Sequence, residues 1–136
     1  MNYWLIALPR EDMDHCIKIG VFGATRRIGI GKAKKGDKLV CYVTKECKII
    51  GVGEITSDYY MSDDPIFRSQ GVFPDRFNFK AKLIDKKKEI NVRSIIDELS
   101  FVTNKSYWSV FFRLSNRQIP EQDYKFIESL LHLNSA

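Results

Sequence analysis

Five cations, Arg26, Arg27, Lys32, Lys34 and Lys35, stand in a stretch that also holds Gly20, Gly23, Gly29, Gly31 and Gly36. Glycines beside cations are the ingredients of a phosphate cradle, in which backbone N–H groups and side-chain charges meet an anion. The spacing excludes two forms of it. Gly31-Lys32 is followed by Ala33 where a P-loop needs Ser or Thr, and Arg26 stands where its first glycine belongs. The dinucleotide fingerprint fails too, because Lys34 occupies the place of the third glycine. A cationic loop remains, able to run along phosphates.

Other reactive residues are scattered. His15 falls in a helical stretch and His132 near the end of the sequence, and a lone helical histidine reads as a solvent-facing or satisfied residue. Asp63-Asp64 is adjacent in sequence, so the two carboxylates do not converge on a metal without outside ligands; a solvated turn is the reading. Cys16, Cys41 and Cys47 are odd in number and lack a C-x-x-C spacing, which points to free thiols rather than a disulfide framework or structural zinc. No nucleophile elbow, His-Glu-x-x-His or Cys–His grouping is present. The sequence therefore implies no metal, no cofactor and no catalytic motif.

These residues need elements to position them. Asn2–Leu8 is a short apolar run and reads as a buried strand ended by Pro9. Met13, Cys16 and Ile17 have helical spacing, with acids in the first turn and Gly20 closing the helix. The range 21–35 has no period and is expected to be a loop or a broken short helix. Lys38–Thr44 alternates as a strand covered on both faces, and 45–48 turns into a return strand, 49–57, in which Gly51 and Gly53 mark a bulge or close backbone approach. The range 57–74 is a long aromatic loop, a place where function concentrates. In 76–84, Phe77, Phe79, Ala81 and Leu83 alternate with Arg76, Asn78, Lys80 and Lys82, predicting a strand with a wet cationic face. A turn is expected over 85–89, a short helix over 92–99, a strand over 108–113 and a last helix entered at Pro120 with a stripe of Phe126, Ile127, Leu130 and Leu131. The pattern is α+β: five or six short strands and three helices around a mixed or antiparallel sheet, either open or closed into a small barrel.

With 136 residues, the chain reads as one domain spanning 1–136. Its 22 Lys plus Arg against 17 Asp plus Glu give a net charge of +5, which favours a polyanionic partner. Tyr3–Leu8 is too short, and lacks the basic leader, for a secretory signal, and no apolar run nears the ~20 residues that span a bilayer. Cytoplasmic location without membrane association, and a monomeric state, are the expectations.

Taken in order, several short segments resemble the EVE domain family. They are Tyr3-Trp4-Leu5; Gly20-Val21-Phe22-Gly23; Lys35-Gly36-Asp37-Lys38-Leu39-Val40-Cys41-Tyr42; Ile50-Gly51-Val52-Gly53-Glu54-Ile55-Thr56-Ser57; Asp64-Pro65-Ile66-Phe67; and Phe73-Pro74-Asp75-Arg76. Phe101–Lys105, Trp108, Arg117 and Pro120–Tyr124 extend the match through the tail. The resemblance implies a PUA-like fold, a small curved or barrel-like sheet flanked by helices, related to the YTH domains that hold a methylated adenine in an aromatic cage. It implies a binding module rather than an enzyme, with RNA or DNA carrying a modified base as partner.

Carried over to this sequence, the pocket would be built from Phe22, Gly23 and Phe67, with Tyr59 and Phe73 in reserve. For Phe22 and Phe67, ordinary core packing is the alternative. Asp12 stands where relatives often carry Asn, and an ionised carboxylate can only accept a hydrogen bond. Arg26, Arg27, Lys32, Lys34 and Lys35, joined by Arg113 and Arg117, would hold flanking phosphates. Two other classes stay open: an enzyme acting on a modified nucleoside, with Glu54 and Lys45 as nearest candidates, and a small-molecule or protein-interaction sensor.

Overall fold

The apolar run at the start forms strand β1 (Tyr3–Leu8), and every residue from Trp4 to Ala7 is buried. The structure, a computed structural model, describes residues 1–24, 29–66 and 73–135, with the backbone alone for 132–135. Pro9 ends the strand and opens helix α1 (Arg10–Ile19), whose first-turn Glu11 and Asp12 suit the positive end of the helix. Gly20, at φ 74°, closes it by donating its N–H to the Cys16 carbonyl at 2.8 Å. Arg10 fixes the start of α1 by forking onto Glu46 at 2.8 and 2.9 Å and onto Glu89 at 2.7 and 3.0 Å. The guanidinium holds the Glu46 carboxyl below its ordinary range.

Strand β2 (Val21–Ala24) follows where a loop is expected from the sequence. Four residues, three of them buried, are too few and too evenly covered for a period of two to show. Strands β3 (Lys38–Val43) and β4 (Lys48–Ile55) form the expected hairpin. A two-residue β5 (Tyr60–Met61) lies inside the expected loop, and β6 (Asp75–Leu83) is the long alternating strand. After β7 (Ile90–Asn91), the expected helix at 92–99 is instead two 3-10 turns, Val92–Ser94 and Ile96–Glu98. Strand β8 (Asn116–Ile119) then leads through Pro120 into α2 (Glu121–Ser135).

The expected strand at 108–113 is a 3-10 turn, Trp108–Phe112. Its residues have high β propensity, but packing decides the outcome. The rings of Trp108 and Phe112 meet at 6.0 Å, and Phe112 also reaches Tyr42 at 4.7 Å and Phe101 at 5.6 Å. Residues four apart on a strand stand about 13 Å from each other, so only a coiled segment closes this cluster.

The strands join in the order β2-β6-β4-β3-β1-β8, with β5 on β6 and β7 on β4. Among the described residues, every pairing is antiparallel except β1 with β3. Strand β6 serves β2 through Asp75–Asn78 and β4 through Phe79–Leu83, so the sheet curls into a half-barrel. Gly51 and Gly53 permit that crossing. A Cβ on Gly53 would lie 2.3 Å from the Lys80 carbonyl oxygen, and one on Gly51 would lie 2.4 Å from that of Lys82. Gly53→Ala is therefore expected to destabilise the fold by about 1–3 kcal/mol, read as a lowered urea midpoint, because backbone rather than a mobile side chain must yield.

Alternate residues of β1 and β3 feed two cores. Leu5, Ala7, Val40 and Tyr42 pack with Ile127 and Leu131 of α2. Trp4, Ile6, Leu39, Cys41 and Val43 pack inside the curl with Met13 and Cys16 of α1. Among the described residues, no helix is long and apolar enough to cross a membrane.

Candidate nucleic-acid interface

Phe22 sits opposite Phe77 in the β2–β6 pair, and both rings turn inward. They stack at 5.2 Å between centroids, and Phe77 meets Phe79 edge-on at 6.1 Å. The Phe22 side chain is 0% exposed, so its ring packs in the core rather than lining an open pocket of the kind the resemblance implies. The physical reason is the strand itself: a buried partner across β6 leaves that face of β2 no solvent to open onto.

Gly23 faces the other way and is roofed by the loop. A Cβ there would lie 2.4 Å from Ile66 Cδ1 and 2.9 Å from the Phe73 carbonyl oxygen. The roof is tied down at several points. His15 of α1 donates from Nε2 to the Ile66 carbonyl at 2.6 Å, which fixes the proton on that nitrogen since a carbonyl only accepts. Arg76 donates from Nε to the Phe73 carbonyl at 3.0 Å and from Nη2 to the Asp64 carbonyl. Arg76 is only 4% exposed, which corrects its assignment to the wet face of β6: the loop folds over it and supplies oxygens in place of water. Nothing in the alternating sequence distinguishes Arg76 from the solvated Lys80, so sequence reasoning misses its role.

Tyr59 is half-buried, its hydroxyl donating to Asp75 Oδ1 at 2.5 Å and its N–H to the Ala33 carbonyl at 3.0 Å. Phe73 is half-buried and held at φ 50°. Asp12, half-buried, lies one helical turn before His15. Phe67, Arg26 and Arg27 lie outside the described residues, as does the side chain of His132. Of the described candidates, Gly23 and Phe73 are thus brought together, Tyr59 reaches the same end of β2 through Asp75, which pairs with Ala24, and Asp12 lies on α1 one turn before the His15 that holds the Ile66 carbonyl.

The cations lie beside it. Lys32, Lys34 and Lys35 are exposed on and after the 3-10 turn Ile30–Lys32. Their backbone is anchored: Lys34 N–H donates to Asp37 Oδ2 at 3.1 Å and Lys35 N–H to Asp58 Oδ1 at 2.9 Å. Asp37, buried, also accepts from Trp4 Nε1 and from the Asn2 N–H, each at 3.0 Å. Among the described residues, none of the three ammonium groups has a carboxylate within salt-bridge distance. Arg113 is exposed. Arg117 is half-buried instead, with Nη1 donating to the Phe111 carbonyl at 3.0 Å and its guanidinium 4.9 Å from the Phe101 ring. Burial lowers its pKa.

Glu54 pairs with Lys38 at 3.4 Å near one end of β4, whereas Lys45 lies in the turn before the other end, so the two are not brought together. Asp63 and Asp64 are exposed in the loop, and among the described residues no group of His, Cys, Asp and Glu is placed to hold a metal. Cys16 and Cys41 are buried free thiols, both pushed up to about 12 chiefly by burial. Clefts lined wholly by described residues include two beside β6. One of about 580 Å³ lies between the end of α1, β2 and β6, and one of about 320 Å³ lies between β4, β6 and α2. Neither contains a ring of the expected cage.

A model of the EVE domain matches residues 2–130. The chain belongs to the EVE domain family. This EVE domain is 34% identical to the UPF0310 protein PH1033 of Pyrococcus horikoshii over 96% of its own length and 99% of the relative's. Its fold matches Rpa0253 from Rhodopseudomonas palustris with a TM-score of 0.68 at 17% identity, covering 98% of this chain and 94% of that one. It also matches, with a TM-score of 0.68 at 17% identity over 96% and 86% of the two chains, the YTH domain of the Zygosaccharomyces rouxii MRB1 protein, solved in complex with N6-methyladenosine RNA. The PUA-like fold of the EVE domain, a curled mixed sheet with two α-helices, is thus shared with the YTH domains.

Proposed function

We propose that this EVE domain binds nucleic acid and holds a modified base, extruded or unpaired, under the aromatic loop. The observation that carries the reading is the row of exposed cations Lys32, Lys34 and Lys35, which have no carboxylate partner among the described residues. Asp37 and Asp58 anchor the backbone of Lys34 and Lys35, and the Ala33 carbonyl among these lysines accepts from the Tyr59 N–H of the aromatic loop. The fold shared with a YTH domain bound to methyladenosine RNA supports it. Phe67, Phe73 and Tyr59 take the ring role that the burial of Phe22 vacates, with Asp12 as an acceptor for the base edge. The lysines contact phosphates, and flat rings stack on a base for about 1–3 kcal/mol each.

The test is fluorescence anisotropy with short single-stranded RNA and DNA, plain and base-methylated, at several salt concentrations. Changing Lys32, Lys34 and Lys35 to Gln is expected to weaken all probes alike and to flatten the salt slope by about 1 for each phosphate no longer neutralised. Phe67→Ala is expected to abolish the preference for the methylated probe while leaving the salt-dependent part. Binding that is absent, or indifferent to salt, would overturn the reading.

A further inference from the structure

The segment between the last 3-10 turns and β8 leaves an unusual face in solvent. Tyr107 is 68% exposed, Leu114 64% and Val110 47%. Single exposed apolar residues are ordinary, but here three fall within eight positions, two of them in one turn closed by the Val110 N–H on the Tyr107 carbonyl, and concentrated apolar exposure marks interaction sites. The patch is interleaved with planar cations. The Arg93 guanidinium lies 5.4 Å over the Trp108 ring, and Arg117 lies 4.9 Å from the Phe101 ring and 5.8 Å from that of Phe111. Among the described residues, neither of these arginines nor Arg113 has a carboxylate within salt-bridge distance.

The face also adjoins the cationic segment. The Ala7 N–H donates to the Ser115 carbonyl at 2.8 Å, which seats the start of β8 against the end of β1. Asn116 Nδ2 lies 3.4 Å from where a Gly29 Cβ would stand, just before the 3-10 turn that bears Lys32. That amide donor is buried and, among the described residues, has no hydrogen-bond partner.

We infer that this face, centred on Tyr107, Trp108 and Arg93, is a second contact for single-stranded nucleic acid, receiving the strand that flanks the base held under the aromatic loop. It rests on the nucleic-acid reading above. Cations without carboxylate partners favour an anionic partner, and the exposed Tyr107 ring and the half-buried Trp108 ring offer flat surfaces on which bases can stack. A duplex keeps its base faces stacked and cannot use them, so the chemistry selects a single strand over a duplex. An acidic protein surface would satisfy the charges but leave the stacking surfaces of Tyr107 and Trp108 unused.

The test compares a short probe of about four nucleotides with one of about twelve, the scale set by the roughly 4–16 nucleotides that a single OB-fold module covers. The variant is Tyr107→Ser with Arg93→Gln, both at exposed positions. The long probe is expected to bind wild type about ten-fold more tightly than the short one, and the variant is expected to remove that gain while binding the short probe as wild type does. Equal loss on both probes, or no loss on either, would refute the second contact while leaving the first reading in place. A change in sedimentation between wild type and variant would show the face to be a self-association surface and refute it as well. If no probe of either length binds wild type, both readings fall together.

Discussion

Phe22→Ala is expected to lower stability by about 3–5 kcal/mol, the cost of removing a buried ring and leaving a cavity beside Phe77 and Phe79. Urea denaturation should show a lower midpoint with an unchanged slope. At temperatures where the variant is still folded, affinity for plain and methylated probes should change together, if at all. Phe22→Leu should retain most of the stability and all of the base preference. A folded, fully stable Phe22→Ala that loses only its preference for a methylated base would return Phe22 to the pocket. The resemblance to the EVE domain family implies such a role; the strand pair with β6 argues against it.

Asp37→Ala is expected to cost about 3–4 kcal/mol, because a buried charged acceptor with three N–H donors is removed and the Trp4 indole is left with no partner. The Asn2 and Lys34 N–H groups are nearer solvent and can rehydrate; the Trp4 Nε1 group cannot. A cycle with Trp4→Phe should expose the coupling: the double variant should fall short of the summed losses by about 1 kcal/mol or more. The loss should also reach function. Lys34 and Lys35 lie in the turn that Asp37 closes, so the folded variant should bind nucleic acid more weakly and with a shallower salt dependence.

The elements visible in the sequence are those with a strong local signal. Pro9 and Gly20 bracket α1, the alternation in β3 and β6 gives strands, and Pro120 opens α2. The ordered series of short segments from Tyr3 to Tyr124 points to the family, although each segment alone is common. Strands β2 and β8 stay hidden because four residues cannot show a period and because Asn116-Arg117-Gln118-Ile119 has no apolar face to reveal. The 3-10 turn at Trp108 is masked by β-forming residues whose conformation is settled by partners far along the chain, Tyr42 among them. At the site, exposure of the lysines is legible because charge without an apolar neighbour stays wet. The depth of Phe22 and of Arg76 is not, since each depends on what a distant segment lays over it.

The sharing of β1 and β3 between two cores has a consequence for how the molecule comes apart. Side chains on one face of these strands seal the layer under α2, and those on the other face seal the interior of the curl. Melting either layer strips half the burial from the same two strands and so removes the floor of the other. The layers therefore unfold as one cooperative unit, and the amides of β1 and β3 exchange with solvent only when the whole molecule opens. Ile66, which covers Gly23, is itself buried in the interior of the curl, so the loop end above Gly23 is joined to the same unit.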